Sequence, residues 1–251
     1  MALPWRVVWI TGASSGIGAA IARELAAAGV TVAVSGRNPD TLDSLAAGHS
    51  ALHPYVLDVT NAAGVAEVFE RIERELGPVD LVLAAAGTYA PVSLARFTAA
   101  PFRQMYETNY LGVVHVLSAV LPAFRARRRG HVAWIASVAG YRGLPKAAAY
   151  GPTKAALINL AESLKPELEA DGVRVSVINP GFVRTPLTAQ NDFPMPFLME
   201  PEEAARRSIS GLATGRFEIA FPSRFVMLLK FARLLPYRLY FALIRRAVLK
   251  R

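Results

Sequence analysis

The most constraining feature of this sequence is a glycine-rich turn between a short apolar run and an apolar helical segment. Arg6 to Ile10 is rich in β-branched residues, and Ala19 to Ala28 has the composition of a helix. The intervening turn, Thr11 to Gly18, has glycines at positions 12, 16 and 18. Such glycines let the backbone approach a pyrophosphate, whose charge the N–H groups of the following helix can bind. The pattern predicts a strand, turn and helix that bind a dinucleotide, and a merely flexible turn is the alternative.

A second pattern lies in the middle of the chain, where Tyr150-Gly151-Pro152-Thr153-Lys154 is predicted to be helical. Four residues of helix bring Lys154 onto the same face as Tyr150. A phenol has an ordinary pKa of about 10, and a nearby ammonium group favours its ionised form and lowers that pKa. We therefore expect Tyr150 to exchange a proton with a substrate, although the same spacing also occurs on solvated helix faces.

Together with Ser137, these motifs resemble the short-chain dehydrogenase/reductase family in its compact single-domain subtype, from about Val7 to Phe221. The resemblance implies an α/β fold, a Rossmann-like doubly wound parallel sheet of about seven strands flanked by helices. It also implies hydride transfer between a nicotinamide and a carbonyl or alcohol carbon. Tyr150 would then be the general acid or base, Ser137 would hydrogen-bond the substrate oxygen, and Lys154 would bind the nicotinamide ribose.

The resemblance also implies roles for residues outside these motifs. Asn109 matches the family's catalytic asparagine, which would hold a water that links Lys154 to solvent. Asp58 and Val59 would lie beside the adenine ring. The complete set of implied cofactor contacts is Gly12, Ser14, Ser15, Gly16, Ile17, Gly18, Arg37, Asp58, Val59, Ala85, Gly87, Tyr150, Lys154, Pro180, Gly181 and Thr185. Ala84-Ala85-Ala86-Gly87 departs from the family's usual Asn-Asn-Ala-Gly, so amide side chains that commonly brace the sheet are missing.

The choice of nicotinamide cofactor depends on Arg37, which follows the predicted strand Val30 to Ser35. About 20 residues after the glycines, an acid would bind the ribose 2′-hydroxyl of NAD, whereas an arginine can bind the 2′-phosphate of NADP. The sequence predicts a preference for NADP(H), with NAD(H) as the second choice. A surface arginine beside a turn is the structural alternative.

The expected substrate is apolar. Leu187 and the segment Phe193 to Met199 follow the loop over the nicotinamide, and in this family that segment lies over the substrate. We expect Phe193 and Phe197, with Ser137 and Tyr150, to contact a small apolar or lipid-like molecule rather than a sugar. The alternative is a lid that packs only on its own core.

The length and composition of the chain fit one domain, since 251 residues with 53% hydrophobic content can bury a large core. We expect an NADP-binding catalytic domain over residues 1–222 and a helical extension of it over 223–251. His115 and His131 are predicted to be structural, and no metal site is expected. The further predicted elements are helices Asp40–Ala47, Asn61–Leu76, Phe102–Arg125, Tyr150 toward Asp171 and Pro201–Ala213, and strands Ala51–Leu57, Val79–Leu83, Val132–Ala136, Val173–Ile178 and Phe217–Phe221.

The net charge of +9 is concentrated at the C-terminus, where residues 224–251 contain eight Lys or Arg and no acid, which leaves about +1 for the rest. This distribution argues against a nucleic-acid partner. Two helical pieces separated by Pro236 are predicted. The second has an apolar side and a basic side, formed respectively by Leu239, Tyr240, Leu243, Ile244, Ala247 and Val248 and by Arg238, Arg245, Arg246 and Lys250.

This basic amphipathic tail predicts reversible contact with an anionic membrane surface. The alternative is a tail that covers the substrate pocket or meets another subunit. The first strand begins at once, without room for a signal peptide, so we expect a cytoplasmic protein with a peripheral position on the inner face of the membrane. The family resemblance implies a homodimer or homotetramer. A non-catalytic NADPH-binding sensor, or an interaction protein on this fold, is the alternative function.

Overall fold

A computed structural model describes residues 3–92 and 94–247. Its centre is a parallel sheet of seven strands in the order β3-β2-β1-β4-β5-β6-β7. This arrangement confirms the predicted doubly wound sheet. The strands are β1 (Val7–Thr11), β2 (Thr31–Gly36), β3 (Leu52–Val56), β4 (Leu81–Ala84), β5 (Gly130–Ile135), β6 (Val173–Pro180) and β7 (Glu218–Phe221).

Helices cover both faces of the sheet, as parallel strands require because their crossovers run over the faces. One face is covered by α1, α2 and α7, and the other by α3, α5 and α6. The helices are α1 (Gly16–Ala27), α2 (Pro39–Ala46), α3 (Ala62–Leu76), α4 (Ala100–Met105), α5 (Gly112–Ala126), α6 (Tyr150–Ala170), α7 (Pro201–Ala213), α8 (Ser223–Leu234) and α9 (Tyr237–Ala247).

Two tryptophans anchor the sheet to its surroundings. Trp9 and Trp134 are fully buried in the core on the face that α3, α5 and α6 cover. The indole of Trp9 donates a hydrogen bond to Ser35 Oγ at 2.9 Å, and that of Trp134 donates to the carbonyl of Leu157 at 2.9 Å. A buried indole N–H without a partner would be costly, so these bonds fix β1 against β2 and β5 against α6.

The sheet order explains where the site forms. Strand order reverses between β1 and β4, and the carboxyl ends of parallel strands meet at one edge of the sheet. The glycine turn follows β1, Arg37 follows β2, Gly87 lies just after β4, and Ser137 follows β5. These predicted site residues therefore reach the same edge.

The long helix predicted from Phe102 to Arg125 is not continuous. Between α4 and α5, residues Tyr106–Leu111 form a π-helix that contains Asn109. A π-helix inserts an extra residue into the helical repeat and is frequent at functional sites. The cause here is tertiary: Asn109 is fully buried and hydrogen-bonded to residues outside the helix, so its position is set by those partners.

The C-terminal extension forms the two predicted helices, α8 and α9, on either side of Pro236. Buried Tyr240 lies on the apolar side predicted for α9, with Ile244 partly buried. The predicted positions of Val248 and Lys250, and of the Ala247 side chain, lie outside what the structure describes. Within the described residues, no helix is long and apolar enough to cross a membrane.

Candidate active site

A cleft of about 320 Å³ opens at the carboxyl edge of the sheet, a size typical of small-molecule sites. Every residue implied to contact the cofactor lines it, from Gly12 to Thr185, and so does Ser137. Chain segments far apart in the sequence are therefore brought together as predicted. Leu187, which was expected near the substrate, also lines the cleft. The sequence reasoning did not assign a site role to several further lining residues, which are Gly36, Leu57, Ala86, Thr88, Gln104, Thr108, Ile135, Ala136, Val183, Pro186 and Thr188.

The glycine turn is shaped as a cradle that side chains would fill. Gly12 has a φ of 69°, and a Cβ there would lie 2.4 Å from the backbone of Ala86. A Cβ on Gly18 would lie 2.5 Å from the carbonyl oxygen of Gly12. Ser15 precedes α1 without a side-chain cap, so the first N–H groups of that helix have no hydroxyl acceptor and can bind a phosphate. These features fit a dinucleotide.

Arg37 lies at the end of the cleft that the adenosine half of a dinucleotide would occupy. It follows the last residue of β2, is exposed, and lines the cleft with Asp58. A backbone hydrogen bond from Thr60 lowers the pKa of Asp58, and the charge of Arg37 adds to this effect. The guanidinium is therefore available to an anionic ligand at this end of the site.

Tyr150 begins α6 and lies beside Ser137 in the cleft lining. Burial raises the pKa of Tyr150 to about 12, and a hydrogen bond with Ser137 opposes this shift only in part. The phenol is thus protonated at neutral pH, the form needed by a proton donor. The ring of Tyr89 packs edge-on against that of Tyr150 with centroids 5.5 Å apart, a contact that no sequence motif indicated.

Lys154 does not lower the pKa of Tyr150 in this structure, contrary to the sequence prediction. Its Nζ lies 5.5 Å from the centroid of the tyrosine ring and donates a hydrogen bond to the carbonyl of Ile135 at 2.8 Å. Burial lowers the pKa of Lys154 to about 7, so the ammonium form is itself disfavoured. Desolvation of both groups outweighs the charge effect expected from their spacing.

The side-chain amide of Asn109 forms hydrogen bonds with other protein groups. Its Oδ1 accepts from the Thr88 N–H at 2.7 Å, and its Nδ2 donates to the Thr88 carbonyl at 3.0 Å and to Thr153 Oγ1 at 3.2 Å. Asn109 does not itself line the cleft among the described residues. Its observed role is to hold the segment after β4 against α6, and the water link to Lys154 stays a prediction.

Phe193 and Phe197 do not line the cleft, in contrast to the prediction. Phe193 packs against Phe182 with ring centroids 6.0 Å apart, and Phe197 packs against Phe225 at 5.9 Å. Phe182 also stacks on Phe225 of α8, so the four rings form one aromatic cluster. Phe193 is connected to Tyr150 only through other residues. The Lys146 Nζ lies 5.5 Å from the centroid of the Phe193 ring, and the Lys146 carbonyl accepts a hydrogen bond from Tyr89, which packs on Tyr150.

The two histidines have structural contacts, as predicted. His115 Nδ1 lies 2.9 Å from the carbonyl oxygen of Val59, which links α5 to the loop beside the cleft. His131 Nε2 lies 2.9 Å from Ser176 Oγ between β5 and β6. Burial lowers the pKa of His131 to about 4, so this imidazole is neutral at physiological pH.

Comparison with known protein families agrees with this geometry. The sequence profile of the family described as short chain dehydrogenase matches residues 6–194. The chain belongs to the short-chain dehydrogenase family. As members of that family are, this dehydrogenase is an NAD(P)-dependent oxidoreductase.

Individual relatives extend the similarity over most of the chain. An uncharacterized oxidoreductase of Myxococcus xanthus is 41% identical over 97% of this chain and 98% of its own length. A 3-oxoacyl-[acyl-carrier-protein] reductase of Thermotoga maritima is 32% identical over 86% of each chain. The solved structure of a serine dehydrogenase complexed with NADP+ has a TM-score of 0.78 and is 27% identical over 86% of this short-chain dehydrogenase and 94% of its own chain.

The residues present define what this short-chain dehydrogenase can contribute to catalysis. A nicotinamide dinucleotide, when bound, supplies or accepts the hydride. The glycine turn and the start of α1 would hold its pyrophosphate, and Lys154 would hold its ribose. Ser137 and Tyr150 place two hydroxyl groups at one side of the cleft, where they can orient a substrate oxygen and give it a proton.

Proposed function

We propose that this short-chain dehydrogenase uses NADP(H) to interconvert a carbonyl and an alcohol on an apolar, lipid-like substrate. Tyr150 is the general acid in reduction and the general base in oxidation, and Ser137 orients the substrate oxygen. The observation that carries the reaction is the meeting of Ser137, Tyr150 and Lys154 with the glycine turn in one cleft.

Preference for NADP(H) is supported by Arg37. It occupies the position immediately after β2, where a carboxylate would instead select the 2′-hydroxyl of NAD(H). The nearest acid in sequence, Asp40, lies within the first turn of α2 and is not among the cleft-lining residues described. The relative bound to NADP+ is consistent with this preference.

An apolar substrate is supported by the residues on the substrate side of the cleft. Val183, Pro186 and Leu187 line it after the carboxyl end of β6. Phe182, adjacent to Val183 in the chain, belongs to an aromatic cluster with Phe193, Phe197 and Phe225, which adds apolar rings near this part of the protein. The similarity to a reductase of 3-oxoacyl chains favours the same substrate class.

The decisive test is NADPH oxidation by the purified full chain with a series of ketones and 3-oxoacyl thioesters of increasing chain length, beside polar sugar ketones. We expect kcat/KM to rise with chain length, because each buried methylene contributes about 0.8 kcal/mol. NADPH binding without turnover of any substrate would favour a non-catalytic NADPH-binding protein. Turnover of the polar ketones alone would contradict the substrate class.

The cofactor choice is tested separately with Arg37→Ala. Its NADPH affinity should fall by about 10- to 100-fold, because a charge-assisted hydrogen bond contributes about 1.5–3 kcal/mol, while NADH affinity stays nearly constant. Arg23→Ala is a matched control, since Arg23 is an exposed arginine on α1 outside the cleft-lining set. A preference of the unmodified enzyme for NADH would contradict the proposal.

A further inference from the structure

The C-terminal helices leave a row of large apolar side chains in solvent. On α8, Met227, Leu228, Phe231 and Leu234 are 56–81% exposed, at intervals that place them on one side of the helix. The opposite side of α8 is already packed against the protein through Phe225, Val226 and Ala232, all buried. The exposed row therefore cannot be covered by a simple rotation of α8 onto the body.

The next helix, α9, adds further exposed apolar side chains. Its buried side holds Tyr240, while Tyr237, Leu239, Phe241 and Leu243 are 43–72% exposed. We call the exposed apolar residues of α8 and α9 the tail face, which consists of Met227, Leu228, Phe231, Leu234, Tyr237, Leu239, Phe241 and Leu243. Many large apolar side chains exposed on two consecutive helices are typical of an interaction site.

The helices that carry the tail face are also rich in exposed cations. The exposed arginines on α8 and α9 are Arg224, Arg233, Arg238, Arg245 and Arg246. No acid occurs between residues 224 and 251 to neutralise them. The acid that precedes α8, Glu218, forms an ion pair with Lys230 and accepts a hydrogen bond from the Tyr141 hydroxyl at 2.6 Å.

The tail face is held in a fixed orientation by one arginine of the protein body. Arg142 Nη1 donates to the carbonyls of Ala232, Arg233 and Leu235, at 2.6, 3.0 and 2.7 Å, and so binds the end of α8. Its guanidinium lies 3.9 Å from the centroid of the Tyr240 ring, and the Tyr240 hydroxyl donates to the Gly143 carbonyl at 2.5 Å.

We infer that the tail face docks on an anionic lipid membrane, with the α8 row entering the acyl boundary and the arginines contacting headgroups. This inference extends beyond the proposed function and does not depend on it. An anionic membrane meets both requirements of the surface, apolar burial and neutralisation of several cations. A second copy meets only the first, because a two-fold contact would bring the same arginines of both chains together.

The structure indicates that α8, rather than α9 as expected from the sequence, makes the main apolar contact with the membrane. The sequence pattern pointed to α9, but the centre of its apolar side is occupied by the contact of Tyr240 with the Gly143 loop. The row on α8 has no such cover among the described residues. Phe231 and Leu234 are the most informative positions, since they are 64% and 81% exposed.

Cosedimentation of the full chain with vesicles tests the inference. Vesicles of phosphatidylcholine alone are compared with vesicles that also contain phosphatidylglycerol, at about 0.01 M and about 1 M salt, where the Debye length is about 30 Å and about 3 Å. We expect binding to the anionic vesicles at low salt, and much weaker binding at high salt or to neutral vesicles. Absence of binding, or binding that ignores lipid charge and salt, would overturn the inference.

Two sets of variants locate the contact. Phe231→Ser with Leu234→Ser should abolish vesicle binding, whereas Leu94→Ser with Phe97→Ser, which removes two exposed apolar side chains elsewhere, should not. Arg238→Gln, Arg245→Gln and Arg246→Gln together should weaken binding by about 100-fold at low salt. The matched triple Arg23→Gln, Arg74→Gln and Arg174→Gln removes the same charge from exposed positions of the body and should have little effect.

Thermal unfolding and NADPH binding show whether each variant is folded, and light scattering gives its mass. A fall in mass of the Phe231→Ser, Leu234→Ser variant with unchanged vesicle binding would identify the tail face as a contact between copies and overturn the inference. Should that variant fail to fold, the salt and lipid dependence of the unmodified chain still decides the question.

Discussion

Asn109 and Thr88 are joined by a reciprocal pair of hydrogen bonds, in which the amide Nδ2 donates to the Thr88 carbonyl and Oδ1 accepts from the Thr88 N–H. The same Nδ2 reaches Thr153 Oγ1, and that hydroxyl donates to the carbonyl of Tyr150 at 2.7 Å. One buried amide therefore connects the segment after β4 with the first turn of α6. The position of Tyr150 relative to the cleft depends on this connection.

Asn109→Ala should lower the free energy of unfolding by about 3 kcal/mol, because the partly buried N–H and carbonyl of Thr88 lose their side-chain partner and Thr153 Oγ1 loses one of its two hydrogen bonds. Asn159→Ala, at an exposed position of α6, should change it by less than about 0.5 kcal/mol. Urea unfolding of both variants is the measurement. Equal stabilities would show that the observed hydrogen bonds do not hold these segments together.

Tyr150→Phe should retain NADPH affinity and lose turnover, because the ring packing against Tyr89 survives while the transferable proton is removed. We expect kcat to fall by at least about 100-fold, with NADPH affinity measured in parallel by fluorescence titration. Tyr89→Phe keeps the ring contact and loses only the hydrogen bond to the Lys146 carbonyl, so it should stay active. Turnover of Tyr150→Phe within about tenfold of the unmodified enzyme would mean that another group transfers the proton.

Lys154 should make stability depend on pH. Burial lowers its pKa from 10.5 to about 7 in the folded chain, so between these values the unfolded state binds more protons than the folded state. Stability linked to this group therefore rises as pH increases through that window, by about 1 kcal/mol per pH unit. The control Lys165→Met removes a lysine of the same helix that pairs with Glu169.

The measurement is urea unfolding of the unmodified chain, Lys154→Met and Lys165→Met at several pH values between about 7 and 9. Lys154→Met should flatten the rise in stability with pH, and Lys165→Met should not. Identical slopes for all three proteins would contradict a buried lysine that loses its charge in the folded state.

Thr11→Val should stabilise the protein slightly, by up to about 1 kcal/mol. Among the described residues, Thr11 Oγ1 is buried without a hydrogen-bond partner, and a valine of similar shape avoids that desolvation cost. Ser176→Ala is the contrasting variant, because Ser176 Oγ donates to the Arg216 carbonyl at 2.6 Å and contacts His131. It should destabilise by about 1–3 kcal/mol, as read by thermal unfolding. A destabilising Thr11→Val would indicate that the hydroxyl is satisfied in solution.

The parts of the fold that sequence reasoning predicted are those that local signals determine. A β-branched run, glycines at three positions and an apolar helical segment specify the first strand, turn and helix without reference to the rest of the chain. The position of Arg37 at the edge of the cleft was predictable from its distance to those glycines, and its role in cofactor choice stays a prediction. A helix was also predicted around Tyr150, and α6 begins there.

The parts that were not predicted depend on contacts between distant segments. The π-helix around Asn109 reflects hydrogen bonds to Thr88 and Thr153, and no local propensity specifies it. Phe193 and Phe197 pack instead on Phe182 and on Phe225, which lies on a helix that follows the sheet. The pKa shift of Tyr150 was predicted in the wrong direction, because a sequence gives the spacing of two ionisable groups but not the depth of their burial.

The bonds between Arg142 and the end of α8 also impose an order on biosynthesis. Arg142 is made 93 residues before Leu235, one of the carbonyls it binds. At about 5–20 residues per second, a ribosome needs about 5–20 s to add that stretch. During this interval Arg142 lacks the carbonyl groups at the end of α8 that it binds in the folded chain. Helices α8 and α9 can therefore settle against the body only after the strands that carry the dinucleotide cradle have been made.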